Sequence, residues 1–176
     1  GLELMDVMTS YAESAHERLC KWVVAKCRRL AEEDDFISEA DEKTLTKSVA
    51  ALRLRPTLFK HCVEEVTRTR HNALFRRFIT ALTRGGAGTK PIEVHAHDPM
   101  RYASDMLSWV HQAVASEKDF CNVAFGENNV VDIDGESFDG TLSILQKVFD
   151  AICRPLKVRV EQVLMSASGG AEGGVM

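Results

Sequence analysis

The chain has 176 residues, 45% hydrophobic and 27% charged, an ordinary folded composition with the length for one or two modest domains that bury about 70% of the unfolded surface. Its 22 basic and 26 acidic residues leave a net charge of −4, which argues against a general nucleic-acid binder, because that function needs a basic excess. No apolar run approaches the ~20 residues that span a bilayer, and no signal peptide is visible.

Apolar periodicity predicts five helices. The first runs from about Leu2 to Glu33, with Leu4, Val7, Met8, Tyr11, Ala15, Leu19, Trp22, Val23 and Leu30 at the three-and-four spacing of one face. An acidic loop follows near residues 32–42, and a short second helix fits Glu42 to Leu54 with Leu45, Val49 and Leu52 inward. Pro56 biases Arg55 out of the helical region and suits the first turn of the third helix. That helix reaches about Arg84 through Phe59, Cys62, Val63, Val66, Leu74, Phe75, Phe78, Ile79 and Leu82, and Gly85 and Gly86 stop it. The Gly-rich turn 85–90 leads into a linker expected to be extended around Ile92 and Val94.

Asp98 is a preferred N-cap and Pro99 a preferred first helical residue, so the fourth helix has a marked start. Tyr102, Met106, Trp109, Val110 and Ala113 form its stripe. Residues 126–140 read as a polar, acidic loop. The fifth helix spans about Thr141 to Met165 through Leu142, Leu145, Val148, Phe149, Ile152, Leu156, Val160, Val163 and Leu164. Pro155 lies inside it and predicts a bend or a break near Ala151 to Pro155. Residues 166–176 are expected to be a disordered tail. The class is all-α: an antiparallel bundle of about five helices over residues 1–165. Gly1 in place of Met suggests a cut or processed start.

Charge is segregated. Glu32, Glu33, Asp34, Asp35, Glu39, Asp41 and Glu42 crowd one stretch, while Arg53, Arg55, Lys60, Arg68, Arg70, Arg76, Arg77 and Arg84 dominate residues 53–84. Solvated helix faces account for this; the alternative is that the basic helix meets an acidic partner or anionic lipid. Cys20, Cys27, Cys62, Cys121 and Cys153 are too scattered for a disulfide framework or a zinc site. They read as small buried hydrophobes in a reducing compartment.

His95-x-His97-Asp98 is the most tempting chemistry. Two histidines two apart on an extended segment point the same way, which makes a metal-dependent hydrolase using His95 and His97 the alternative function. A metal site needs three or four convergent ligands, and no other cluster is an obvious partner. The run Gly85 to Lys90 fails as a phosphate loop, because it follows a helix and Thr89 separates Gly88 from Lys90. Asp132-x-Asp134-Gly135 fails as a calcium loop, because Val130 and Thr141 fall on its first and last ligand positions. No catalytic, cofactor-binding or metal-binding residue is assigned. Trp22, Tyr102 and Trp109 are candidate anchors for a partner, with intramolecular core as the competing role.

Four strings carry a family likeness: LFKHCVEEVTRTRHN (58–72), FRRFITALTRGG (75–86), PIEVHAHDPMRYASDMLSWVHQAVASEK (91–118) and CRPLKVRVEQVL (153–164). They are long and collinear, and they resemble the sixth subunit of the conserved oligomeric Golgi (COG) complex, in the middle portion of a family chain several times longer. Residues 122–138 depart from the pattern, and the family continues into more helices after Leu164. The resemblance implies part of a helical-rod vesicle tether, peripheral on the cytosolic face of the Golgi membrane. It implies action in intra-Golgi retrograde transport and upkeep of Golgi glycosylation. It also implies no enzyme activity or cofactor, and as partners the other tether subunits, SNAREs or small GTPases, and no nucleic acid.

Overall fold

The computed structural model describes residues 1–32, 37–86, 88–126, 130–133 and 136–169. Five helices make up most of it: α1 (Leu2–Glu32), α2 (Glu39–Leu52), α3 (Pro56–Thr83), α4 (Pro99–Phe125) and α5 (Gly140–Gly169). A 3-10 turn (Ile92–His95) precedes α4, and a hairpin of β1 (Val130–Ile133) and β2 (Glu136–Asp139) precedes α5. The fold is all-α, as the periodicity implies, with that small hairpin inserted.

Local chemistry explains the ends. Ser38 caps α2: its Oγ accepts from the Asp41 N–H at 3.2 Å, and Glu39, Asp41 and Glu42 occupy the first turn, where carboxylates favour the positive end of the helix dipole. The second half of the expected acidic loop is therefore the start of a helix. Pro56 opens α3, and Arg55 ahead of it is non-helical (φ −127°, ψ 82°). Gly85 ends α3 at φ +76°, and a Cβ there would stand 2.2 Å from the Thr89 carbonyl oxygen, so only glycine closes this turn. Asp98 caps α4 by accepting from the Arg101 N–H at 3.2 Å.

Further expectations are corrected. Residues 130–133 and 136–139 pair as antiparallel strands, Val130 opposite Asp139 and Ile133 opposite Glu136, where a loop was expected. Short β-prone runs either side of Asp134-Gly135 are a hairpin signal that the acidity of the stretch obscured. The segment around Ile92 and Val94 is a 3-10 turn rather than extended, with Val94 N–H bonded to Pro91 O and Ala96 N–H to Glu93 O. α5 runs unbroken through Pro155, because Ile152 before it and Val163 after it are both buried; that packing outweighs the roughly 3 kcal/mol of an interior proline. The helix also continues four residues past Met165, to Gly169, with Ser166 Oγ donating to Gln162 O at 2.8 Å. Residues 170–176 of the expected tail, and residues 33–36 of the acidic stretch, lie outside the described residues.

α3 is the hub, packed against α1 and α5, while α4 packs against α5 and α2. Phe59, Cys62, Val66, Leu74, Phe78 and Leu82 of α3 meet Cys20, Val23 and Cys27 of α1, Met106, Phe120 and Cys121 of α4, and Ile144, Val148 and Ile152 of α5 in one core. Contacts fix directions. Arg70 meets Glu117 and Phe78 meets Trp109, so α3 and α4 run opposite ways. Cys20 reaches Leu58 near the start of α3, and the C-terminal residues Ala31 and Glu32 lie by Ala73 to Ala81, so α1 and α3 run the same way.

An ion pair lies inside the core. Arg70 donates from Nε and Nη2 to the two oxygens of Glu117, both at 2.8 Å, and Arg77 adds a bond at 3.2 Å. Glu117 is 1% exposed and Arg70 6%, and the Arg70 guanidinium sits 4.0 Å from the Phe120 ring centroid, a stacked cation on an aromatic face. Removing one partner strands a buried charge, so Glu117→Ala is expected to cost ~3–5 kcal/mol, whereas Arg70→Met with Glu117→Leu recovers most of that loss. Urea unfolding midpoints of the three proteins check this.

Candidate functional site: exposed helix faces around a locked bundle

The expected metal pair does not form. His95 ends the 3-10 turn and His97 follows it, and the two diverge: His95 Nδ1 is 2.9 Å from Asp105 Oδ2 of α4, while His97 Nδ1 bonds the Val94 carbonyl at 3.1 Å. Among the described residues no group of three His, Cys, Asp or Glu is placed to hold a metal ion. Cys20, Cys27, Cys62 and Cys121 are buried and Cys153 is exposed. Burial pushes the thiols of Cys27 and Cys121 up to about 12, and raises those of Cys20 and Cys62 as well; such thiols carry no thiolate near neutral pH and are poor nucleophiles.

A surface cavity of about 450 Å³ lies between the end of α1, α3 and α4, lined by Glu32, Arg76, Arg77, Gly86, Thr89 and Trp109 among others. Two of its polar side chains are engaged within the chain: Arg77 is bound to Glu117, and Thr89 Oγ1 accepts from the Gly86 N–H at 2.8 Å. It holds no nucleophile beside a base and no paired carboxylates.

A second lock holds the 3-10 turn to α4 and α5. Arg159 of α5 donates from Nε to Glu93 Oε1 at 2.8 Å and from Nη2 to Glu93 Oε2, and the Tyr102 hydroxyl donates to Glu93 Oε1 at 2.9 Å. The Arg159 bond, helped by that of Tyr102, holds the Glu93 carboxyl below the usual carboxylate range. Burial and the Glu93 carboxylate push the Tyr102 hydroxyl up to about 12.

The anchor candidates divide. Tyr102 is fully buried in this lock. Trp22 and Trp109 are half-buried against the core, Trp109 with its ring centroid 5.4 Å from that of Phe78. The basic residues of α3 are largely engaged within the chain: Arg68 with Glu65, and Arg70 and Arg77 with Glu117. Before α3, Arg53 donates to the Phe125 carbonyl at 2.6 Å.

Apolar side chains also lie open. On the first half of α1, Leu2, Leu4, Met5, Val7, Met8 and Tyr11 are all exposed, Tyr11 at 74%. The apolar face of α1 thus packs on the core only from Leu19 onward, since α1 overshoots the start of α3. On α4, Met100, Leu107 and Val114 are exposed at a seven-residue spacing. No described helix is long and apolar enough to cross a membrane.

The family model of Conserved Oligomeric Golgi complex subunit 6, C-terminal, matches residues 1–171. The chain is 52% identical to Conserved oligomeric Golgi complex subunit 6 of Arabidopsis thaliana over 181 residues, covering 94% of this chain and 26% of that protein. It is 39% identical to the subunit 6 proteins of Homo sapiens and Drosophila melanogaster, with 96% and 94% of this chain and 25% of each of those proteins covered. The chain thus spans about a quarter of the length of these relatives. The matching model is that of the C-terminal part, where the sequence reading placed the likeness in the middle. No solved structure matches.

Because Glu93 is depressed, its contribution to stability is present above the unfolded carboxylate value of about 4.3 and is lost as pH falls through the folded value. Thermal melts from pH 7 downward are expected to show a steeper acid loss in the wild type than in Glu93→Gln, with the two curves converging at the acid end.

Proposed function

The chain belongs to the family of Conserved Oligomeric Golgi complex subunit 6, C-terminal, and on that premise we propose that it serves as a non-catalytic part of the Golgi multisubunit vesicle tether. The reading rests on the match over residues 1–171. It acts by helix-to-helix assembly with sibling subunits, on the cytosolic face of the Golgi membrane, in intra-Golgi retrograde transport and the upkeep of Golgi glycosylation. SNAREs and small GTPases are the partner classes it meets there.

The physical features fit an assembly role. Polar clusters are closed on themselves, as in the Arg70–Glu117–Arg77 and Glu93–Tyr102–Arg159 groups. Apolar side chains lie open along helix faces, where a few aromatic anchors dominate affinity in helix recognition. Trp22 and Trp109, each half-exposed, are the anchors this reading retains.

Affinity purification of the tagged chain from a eukaryotic lysate, with mass spectrometry of what is retained, is expected to return sibling tether subunits, and the tagged protein to sit at the Golgi by microscopy. A chain that is retained alone and is diffuse in the cell would contradict the reading.

A further inference from the structure

The cavity between the end of α1, α3 and α4 has no catalytic set, yet its lining is rich in hydrogen-bond donors. Arg76 and Arg77 of α3 both line it. Arg77 is held from behind by Glu117, but on unequal terms: Arg70 takes both carboxylate oxygens at 2.8 Å, and Arg77 has one bond at 3.2 Å. One buried carboxylate thus serves two guanidiniums, and the outer edge of Arg77, with its side chain 31% exposed, is left for a further anion. Arg76 is exposed and stands in no ion pair among the described residues.

The neutral groups add to this. Thr89 Oγ1 spends its acceptor on the Gly86 N–H, so its own proton is free to be donated. Thr80 and Gln112 bring a hydroxyl and an amide. The turn 85–90 is no phosphate loop; it contributes through the Thr89 side chain. Among the described residues the lining has one acid, Glu32 at the end of α1. The other wall is apolar: Ala73, Ala81 and the half-buried ring of Trp109, fixed by Phe78 with centroids 5.4 Å apart. A volume of about 450 Å³ is in the range of sites for small organic ligands and leaves room for more than an oxyanion alone.

We propose that this cavity binds an organic phosphomonoester, with the phosphate between Arg76, Arg77 and Thr89 and the organic part against Trp109. Guanidinium forks match phosphate and carboxylate alike. A phosphomonoester brings three terminal oxygens and close to two charges at neutral pH, which suits two guanidiniums with a hydroxyl; a carboxylate brings two oxygens and one charge. The phosphate belongs to a small soluble molecule or to a lipid headgroup. Binding here neither requires nor tests membership of a tether.

NMR titration of the ¹⁵N-labelled chain with phenyl phosphate, and separately with benzoate, tests it. The Trp109 indole N–H is assigned by its loss in Trp109→Phe. Phenyl phosphate is expected to shift that signal and the Gly86 and Thr89 amides to saturation, and to bind about tenfold or more tighter than benzoate. Arg76→Gln should weaken phenyl phosphate about tenfold, and Glu32→Gln should tighten it by removing the competing carboxylate. Both side chains are exposed, so the thermal melts should stay unchanged. No saturable shift at Trp109, shifts spread evenly over the exposed Lys and Arg residues, equal affinity for benzoate, or an Arg76→Gln chain that binds as well as wild type would each overturn the site. Flotation with vesicles of phosphatidylcholine and a phosphatidylinositol monophosphate separates the sources. Flotation that Arg76→Gln abolishes puts the phosphate on a lipid headgroup; Arg76-dependent binding of phenyl phosphate without flotation puts it on a soluble molecule.

Discussion

Glu117 fixes the arrangement on which the other packing depends. It sits in the C-terminal third of α4, nearly out of contact with solvent, and takes the fork of Arg70 and one arm of Arg77 from α3. A buried carboxylate is costly unless its oxygens are satisfied, so α3 and α4 meet well only where these groups align. A shift of either helix by one turn would leave charges unpaired between Phe78, Trp109 and Phe120. Apolar packing tolerates many near-equivalent arrangements; the ion pair selects one. With that register set, Phe78 reaches Trp109 at one end and Arg53 reaches the Phe125 carbonyl at the other.

The Glu93–Tyr102–Arg159 group plays the same part at the opposite end of α4. It joins the 3-10 turn, α4 and α5 around one carboxylate, and its members come from positions 93, 102 and 159. The two locks pair the buried Arg70 and Glu117, and the partly buried Glu93 and Arg159, with one another. What remains for a partner is the surface: the open half of α1 and the exposed line on α4.

Much of this was legible in the chain itself. Pro56, Gly85 and Asp98-Pro99 act through their own backbone chemistry, so the bounds of α3 and the start of α4 followed from local rules. The collinear strings from Leu58 to Lys118 identified the family. The locks were not legible, because Arg70 and Glu117 are 47 positions apart and each reads alone as a solvated charge. The acids of residues 39–42 were mistaken for loop because composition hid the cap at Ser38. The stripe of α1 was identified correctly as apolar, but periodicity says which residues share a face and nothing about whether the chain supplies a neighbour for it. His95 and His97 misled for a related reason: their spacing converges only on an extended backbone, and Pro91 leads into a 3-10 turn.

Amide hydrogen exchange of the isolated chain, mapped along α1, tests the central claim most directly. A helix packed only in its second half should show strong protection from about Cys20 to Leu30 and exchange orders of magnitude faster over residues 2–15, since protection follows packing. Equal, strong protection along the whole of α1 in the isolated monomer would contradict the account, because it would mean that the apolar face already has its neighbours.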